Sequence, residues 1–160
     1  KNKLIYKFSI LLFSIFLLQS IIYDFKLLNN PASANLPRSE RSGYLEEWTA
    51  GQGIREIANY LKDQKAIVGT EGHFGTLPDG LQIYFDGVSD VNIIGIGLQL
   101  DKVPEQLIEA KKFGNKVYLV VNDERLHMDY TKVNLKLIGK YPKAIRPNGE
   151  YQSLLLFEVE

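Results

Sequence analysis

The 160 residues suit one domain of ordinary size, with some chain left over for an accessory segment. Nineteen basic against nineteen acidic residues leave no net charge, which argues against a general nucleic-acid binder. A hydrophobic share of 45% can build a core, while the lack of cysteine excludes disulfides, thiolate zinc sites, iron–sulfur clusters and a cysteine nucleophile.

The chain begins at Lys1 rather than Met, so a processed product or a piece of a longer protein is expected. From Phe8 to Tyr23 it reads FSILLFSIFLLQSIIY, without a formal charge. Extended from Leu4 to Leu28, the apolar stretch covers about 25 positions, enough for a ~30 Å hydrocarbon core at ~1.5 Å per residue. Lys7, Asp24 and Lys26 fall near the interfaces, where Tyr6 and Tyr23 suit the aromatic belts. A transmembrane helix over residues 1–28 is therefore predicted, with the lipid bilayer as partner. Lys1, Lys3 and Lys7 precede the span and should stay cytoplasmic, which puts the remainder outside the plasma membrane. The rival reading is a secretory signal peptide ending near Ala32-Ser33-Ala34. Against it, the apolar run is long, and Asp24, Lys26 and two asparagines separate it from that triplet. Both readings export the rest of the chain.

Residues 29–43, NNPASANLPRSERSG, have the turn formers of an exposed linker. An α/β domain is expected over 44–160. Ile54, Ile57, Ala58 and Leu61 trace one helical stripe. Lys65–Thr70 is a short β-branched run. Thr76 and Asp79 have capping-box spacing ahead of Leu81, Tyr84 and Phe85, which predicts a second helix. Val91–Leu98 reads as the next strand, and Pro104 opens a helix that Gly114 closes. Lys116–Asn122 is apolar nearly throughout, as in a strand covered on both faces. Asn134–Tyr141 and Ser153–Val159 supply two more strands, read as an antiparallel pair at the end. The alternation predicts a small Rossmann-like, three-layer domain with a mostly parallel sheet and right-handed crossovers.

Chemistry-bearing motifs are sparse. Gly69-Thr70-Glu71-Gly72-His73-Phe74-Gly75 runs from a strand toward a helix, where backbone amides can meet an anion. Its spacing is G-x-x-G-x-x-G rather than the dinucleotide fingerprint, so a tight strand-to-helix turn is the plainer reading of Gly72 and Gly75. Gly51 and Gly53 are read in the same way, as permissive residues before a helix. His73 with Glu71 and Asp79 could form an acid–base or metal cluster, yet two distant histidines make no ligand pattern, and no metal site is assigned. Trp48 can stack on a sugar ring, although a lone tryptophan usually anchors packing. Asp123-Glu124-Arg125 reads as a solvated loop. Trp48, Glu71, His73 and Asp79 are the candidate ligand contacts; no catalytic residue is assigned.

Taken together, the motifs resemble a known family. Glu47-Trp48-Thr49-Ala50-Gly51-Gln52-Gly53 with Glu56-Ile57-Ala58-Asn59-Tyr60-Leu61 is similar to the opening of a C-terminal domain in polytopic membrane glycosyltransferases. These are the enzymes similar to dolichyl-phosphate-mannose–protein mannosyltransferases and aminoarabinose transferases. The resemblance continues through Thr70–Leu81 and Val117–Asn122, then Leu137-Ile138 to Lys143 and Ser153–Phe157, and covers roughly residues 43–160. It implies a last membrane span followed by an outer-face accessory domain of an enzyme that transfers a sugar from a polyprenyl-phosphate donor to an acceptor. In such enzymes the carboxylate base and the metal or phosphate contacts lie in an early outer loop, outside these residues. The resemblance therefore assigns this chain no catalytic residue and no cofactor; a divalent metal would belong to the membrane part. Two alternatives stay open: a stand-alone, membrane-anchored binding module, and a sugar- or nucleotide-binding domain using the Gly69–Gly75 turn.

Overall fold

An apolar run free of proline and glycine has nothing to break a helix. In the computed structural model, which describes residues 2–87 and 90–160, Asn2–Asn29 is one α-helix, α1. Lys1 of the basic flank lies outside the described residues. The helix is long and apolar enough to cross a membrane, and none of its apolar window is buried by protein. Asn29 ends it by donating its side-chain amide to Phe25 O at 2.8 Å, and Pro31 opens a 3-10 turn, Pro31–Ser33. A short helix α2, Arg38–Arg41, completes a first unit of the chain, Lys1–Arg41.

The second unit, Ser42–Glu160, is built on a five-stranded sheet. After one π-helical turn, Ser42–Glu46, comes α3, Ile54–Leu61, which buries Ile54, Ile57, Ala58 and Leu61 as its period demands. Then follow β1 (Ala66–Glu71), α4 (Asp79–Gln82), β2 (Val91–Ile96), α5 (Glu105–Lys112) and β3 (Lys116–Asn122). Two 3-10 turns, Asp123–Arg125 and Tyr130–Lys132, lead to β4 (Leu135–Pro142) and β5 (Ser153–Val159). Hydrophobic cores form on both faces. On one, the α3 stripe, Leu77, Leu81 and Phe85 pack over Val68, Tyr118, Val120, Leu154 and Leu156. On the other, Leu107 of α5 packs over Val117, Leu119, Val121, Leu155 and Phe157.

The strand order is β2-β1-β3-β5-β4, and the sheet is mixed rather than mostly parallel. β1 pairs in parallel with β2 and β3, whereas β5 is antiparallel to both β3 and β4. Connection length accounts for the difference. The segment from β4 to β5 is too short for the helical crossover that parallel neighbours require, so the two strands fold back on each other. β5 then fills the place beside β3, and its flanking ladders leave it buried along most of its length.

The capping box is also corrected. Thr76 Oγ1 donates to Thr49 O at 3.1 Å, away from the helix, and Asp79 Oδ2 accepts from Gly75 N at 2.8 Å. Pro78 takes the N-cap position, and regular helix stops at Gln82 before single turns carry the chain to the buried Phe85. Close packing requires glycine at two positions. A Cβ on Gly69 would lie 2.8 Å from Leu107 Cδ1, so only glycine lets α5 settle on β1.

Gly53 combines a left-handed backbone, φ 91°, with a Cβ position 2.6 Å from the Tyr141 side chain. Gly149 is also left-handed, φ 85°, but has open space around it. Gly149→Ala is therefore expected to cost about 1 kcal/mol of unfolding free energy, the backbone penalty alone. Gly53→Ala should cost about 2–4 kcal/mol, because overlap with Tyr141 adds to that penalty. Equal urea midpoints for the two variants would contradict the close approach of α3 and β4.

Candidate functional site at the carboxyl edge of the sheet

β1, β2 and β3 run in the same direction, and β4, antiparallel to β5, shares it. Their carboxyl ends form one edge of the sheet, and the last residues there are polar. Glu71 ends β1, Asn122 ends β3, and Lys143 follows β4; each is almost fully buried. The chain leaving β1 goes to β2 on one side, and the chain leaving β3 goes to β4 on the other, so the two connections diverge between β1 and β3 at this edge. That is where open α/β sheets form a crevice for ligands.

One side chain organises the edge. Asn122 donates its backbone N–H to Glu71 Oε2 at 2.7 Å and its side-chain amide to Glu71 Oε1 at 2.6 Å. Its Oδ1 accepts from Lys143 Nζ, which also donates to Glu47 O at 2.7 Å. Only one orientation of the amide serves both neighbours, because the carboxylate accepts and the ammonium donates. Arg125 completes the cluster. Its Nη1 lies 3.6 Å from Glu71 Oε1, and its guanidinium stacks 4.2 Å from the centroid of the Trp48 ring. Further out, Arg146 pairs with Glu47 at 2.8 Å and approaches Glu124 at 3.8 Å.

Burial shifts the titration of these groups. Loss of water raises the Glu71 carboxyl above the usual carboxylate range, although the Asn122 bonds and the charges of Arg125 and Lys143 oppose it. The same loss pulls the Lys143 ammonium down to about 8, against the attraction of Glu71, Glu124, Asp123 and Glu47. Glu124 is raised too, by burial first and by Glu47 second. A carboxyl pushed up and an amine pulled down, bridged by one amide, are the kind of groups that exchange protons with a bound polar group. Arg125 and the half-exposed Trp48 ring can hold such a group in place.

Of the sequence candidates, Glu71 and Trp48 belong to this cluster; Trp48 also accepts from the Asn122 amide through its carbonyl, at 3.5 Å. Asp79 serves the Gly75 turn instead. His73 is exposed and lines a cleft of about 330 Å³ with Gly95, Gly97, Lys102 and Gln106. Gly72 and Gly75 have left-handed backbones as expected of turn glycines, and so does Gly53; Gly51 does not. The solvated-loop reading of Asp123-Glu124-Arg125 is corrected at Asp123 and Arg125. Asp123 accepts from Ser153 N at 2.9 Å and Arg125 joins the Glu71 cluster, because a 3-10 turn folds this segment back over the sheet edge; Glu124 stays exposed, 3.8 Å from Arg146. Asn122, Arg125, Lys143 and Arg146 are additions that sequence reasoning missed. The one local signal among them was Asn122, a polar residue closing the otherwise apolar β3.

No protein-family model matches the chain, and neither a curated protein nor a solved structure is significantly similar to it.

Two measurements follow from the cluster. Glu71→Ala leaves the Lys143 ammonium buried without its carboxylate, and should cost about 3–5 kcal/mol in chemical unfolding. The second concerns pH. The unfolded chain holds the Lys143 proton up to its ordinary value of 10.5, whereas the folded chain releases it near 8. Between those values the unfolded state binds more protons, so this group makes stability rise with pH. Above pH ~10 the raised Tyr118, at about 12, acts in the opposite sense. Unfolding midpoints should therefore show a rising contribution from pH 8 to 10 that Lys143→Met removes. An unchanged slope in the variant would mean that Lys143 is not titrating there.

Proposed function

We propose that this chain is the last membrane span and the extracytoplasmic accessory domain of an integral-membrane glycosyltransferase that uses a polyprenyl-phosphate-linked sugar. One observation carries the reading. Glu47, Trp48, Glu71, Asn122 and Lys143, taken from four separate stretches of the family resemblance, converge on a single polar cluster. Residues so far apart in sequence have a common reason to occur together when they build one site.

In this reading the domain is Rossmann-like in its β1–β3 half, with the ligand crevice at the point where its connections diverge. The crevice holds hydroxyl-rich groups of the acceptor, with Trp48 offering a ring face and Arg125 and Lys143 offering donors. The base that activates the acceptor, and any divalent metal, belong to the membrane part of the enzyme. Use of the glycine turn for a nucleotide is less favoured, because Gly69 is filled by Leu107 and Gly95 by the backbone of Gly72 and His73.

The coding DNA upstream of Lys1 tests the reading. An open frame continuing through further apolar spans, with a carboxylate-bearing outer loop, is the expected result. A stop codon just upstream with a start beside Lys1 would leave a single-span binding module. In parallel, residues 42–160 are expected to fold yet transfer no sugar from a polyprenyl-phosphate donor; turnover by that fragment would contradict the accessory role.

A further inference from the structure

Five large apolar side chains stand out from the carboxyl edge, with exposures from 41% at Trp48 to 83% at Phe74; the others are Tyr44, Leu98 and Ile145. They come from four separate stretches of chain, which contacts between neighbouring residues bring together at this edge as an apolar ridge. Leu98 and the Phe74 carbonyl both lie against Gly72, within 4 Å of where its Cβ would be. Thr76, two residues beyond Phe74, bonds to Thr49 O, next to Trp48. Ala144 N, next to Ile145, donates to Leu45 O, next to Tyr44, at 2.9 Å. Apolar side chains scattered singly need no explanation, but five on neighbouring segments of one edge call for a partner.

The position and composition of the ridge indicate which partner. The chain arriving from the apolar helix enters the domain through Ser42–Thr49, which is itself part of the ridge. Tryptophan and tyrosine with neighbouring guanidinium groups are the side chains that favour the membrane–water boundary. Formal charges at this edge are mutually paired: Arg146 with Glu47 and Arg125 with Glu71. We infer that the carboxyl edge seats its apolar ridge in the interfacial layer of the lipid bilayer, by apolar burial rather than by attraction to anionic headgroups. The polar cluster, buried just behind this edge, then lies close to the membrane surface. The inference rests on the membrane attachment in the functional reading above, and not on sugar transfer.

Trp48 is the only tryptophan in the chain, so its emission reports on the ridge directly. The full chain would be reconstituted into vesicles of zwitterionic phospholipid containing lipids spin-labelled near the headgroup. The expected result is a loss of Trp48 emission to the labelled lipid, protection from aqueous acrylamide, and no change between low and high salt. Phe74→Asp combined with Leu98→Asp alters two exposed side chains. It should restore emission and acrylamide access while the unfolding midpoint holds. Emission unaffected by labelled lipid would overturn the proposal, whether acrylamide reaches Trp48 or a protein surface shields it. Quenching that requires anionic lipid and disappears in salt would also overturn it. That result would point instead to the groove of about 610 Å³ beside α5, lined by Lys102, Lys111, Lys112 and Lys132. A coding frame without further spans would sink the transferase reading and leave this measurement standing.

Discussion

The carboxyl edge of the domain depends on one amide. A carboxylate and an ammonium taken out of water need compensation, and Asn122 supplies it to both through a single planar group. In doing so it fixes the end of β1 against the end of β3, and both against the segment after β4. The Glu47 and Trp48 carbonyls are drawn into the same network, so the strap that precedes α3 is held over the strand ends. Hydrophobic burial on the two faces of the sheet would tolerate small shifts in that strap. A buried network of hydrogen bonds with one workable orientation would not.

This constraint also explains how an α/β domain with few catalytic-looking residues can have a chemically distinctive edge. Charges that would be unremarkable in water are moved toward neutrality by burial, Glu71 upward and Lys143 downward. Around them the surface changes character, from paired ions to exposed aromatic and aliphatic side chains. A buried polar cluster behind exposed apolar side chains is a combination that neither the charge balance nor the composition of the chain announces. The proposed role beside a membrane enzyme and the proposed seating of the ridge describe the same edge from two sides.

Much of the secondary structure was legible because it is written locally. The stripe of Ile54, Ile57, Ala58 and Leu61, the apolar run of β3, and Pro104 and Gly114 around α5 each signal their element within a few residues. Strand order is not written that way. That β5 would pair with β3 depends on which apolar faces remain to be covered once the whole sheet assembles. The site was hidden for a related reason. Glu71 and Trp48 drew notice beside glycines, but Asn122 looked like the polar end of a strand and Lys143 like a loop lysine after Pro142. Arg125 lay in a run of charges that composition alone assigns to solvent. Their meaning comes from the third dimension, where strand ends separated by 51 and 21 residues become neighbours.

The position of β5 has a consequence for how the domain comes into being. It follows β4 in the chain but lies between β3 and β4 in the sheet. While the chain is being synthesised, β4 therefore has no place to dock, and the apolar β3 keeps an open edge until Ser153–Val159 has emerged. Vectorial folding thus stalls at three parallel strands and completes in a late, concerted step. During that interval the nascent domain presents an unpaired strand of buried-type sequence, KVYLVVN, so its brief exposure to other chains is set by the speed of elongation through β4 and β5.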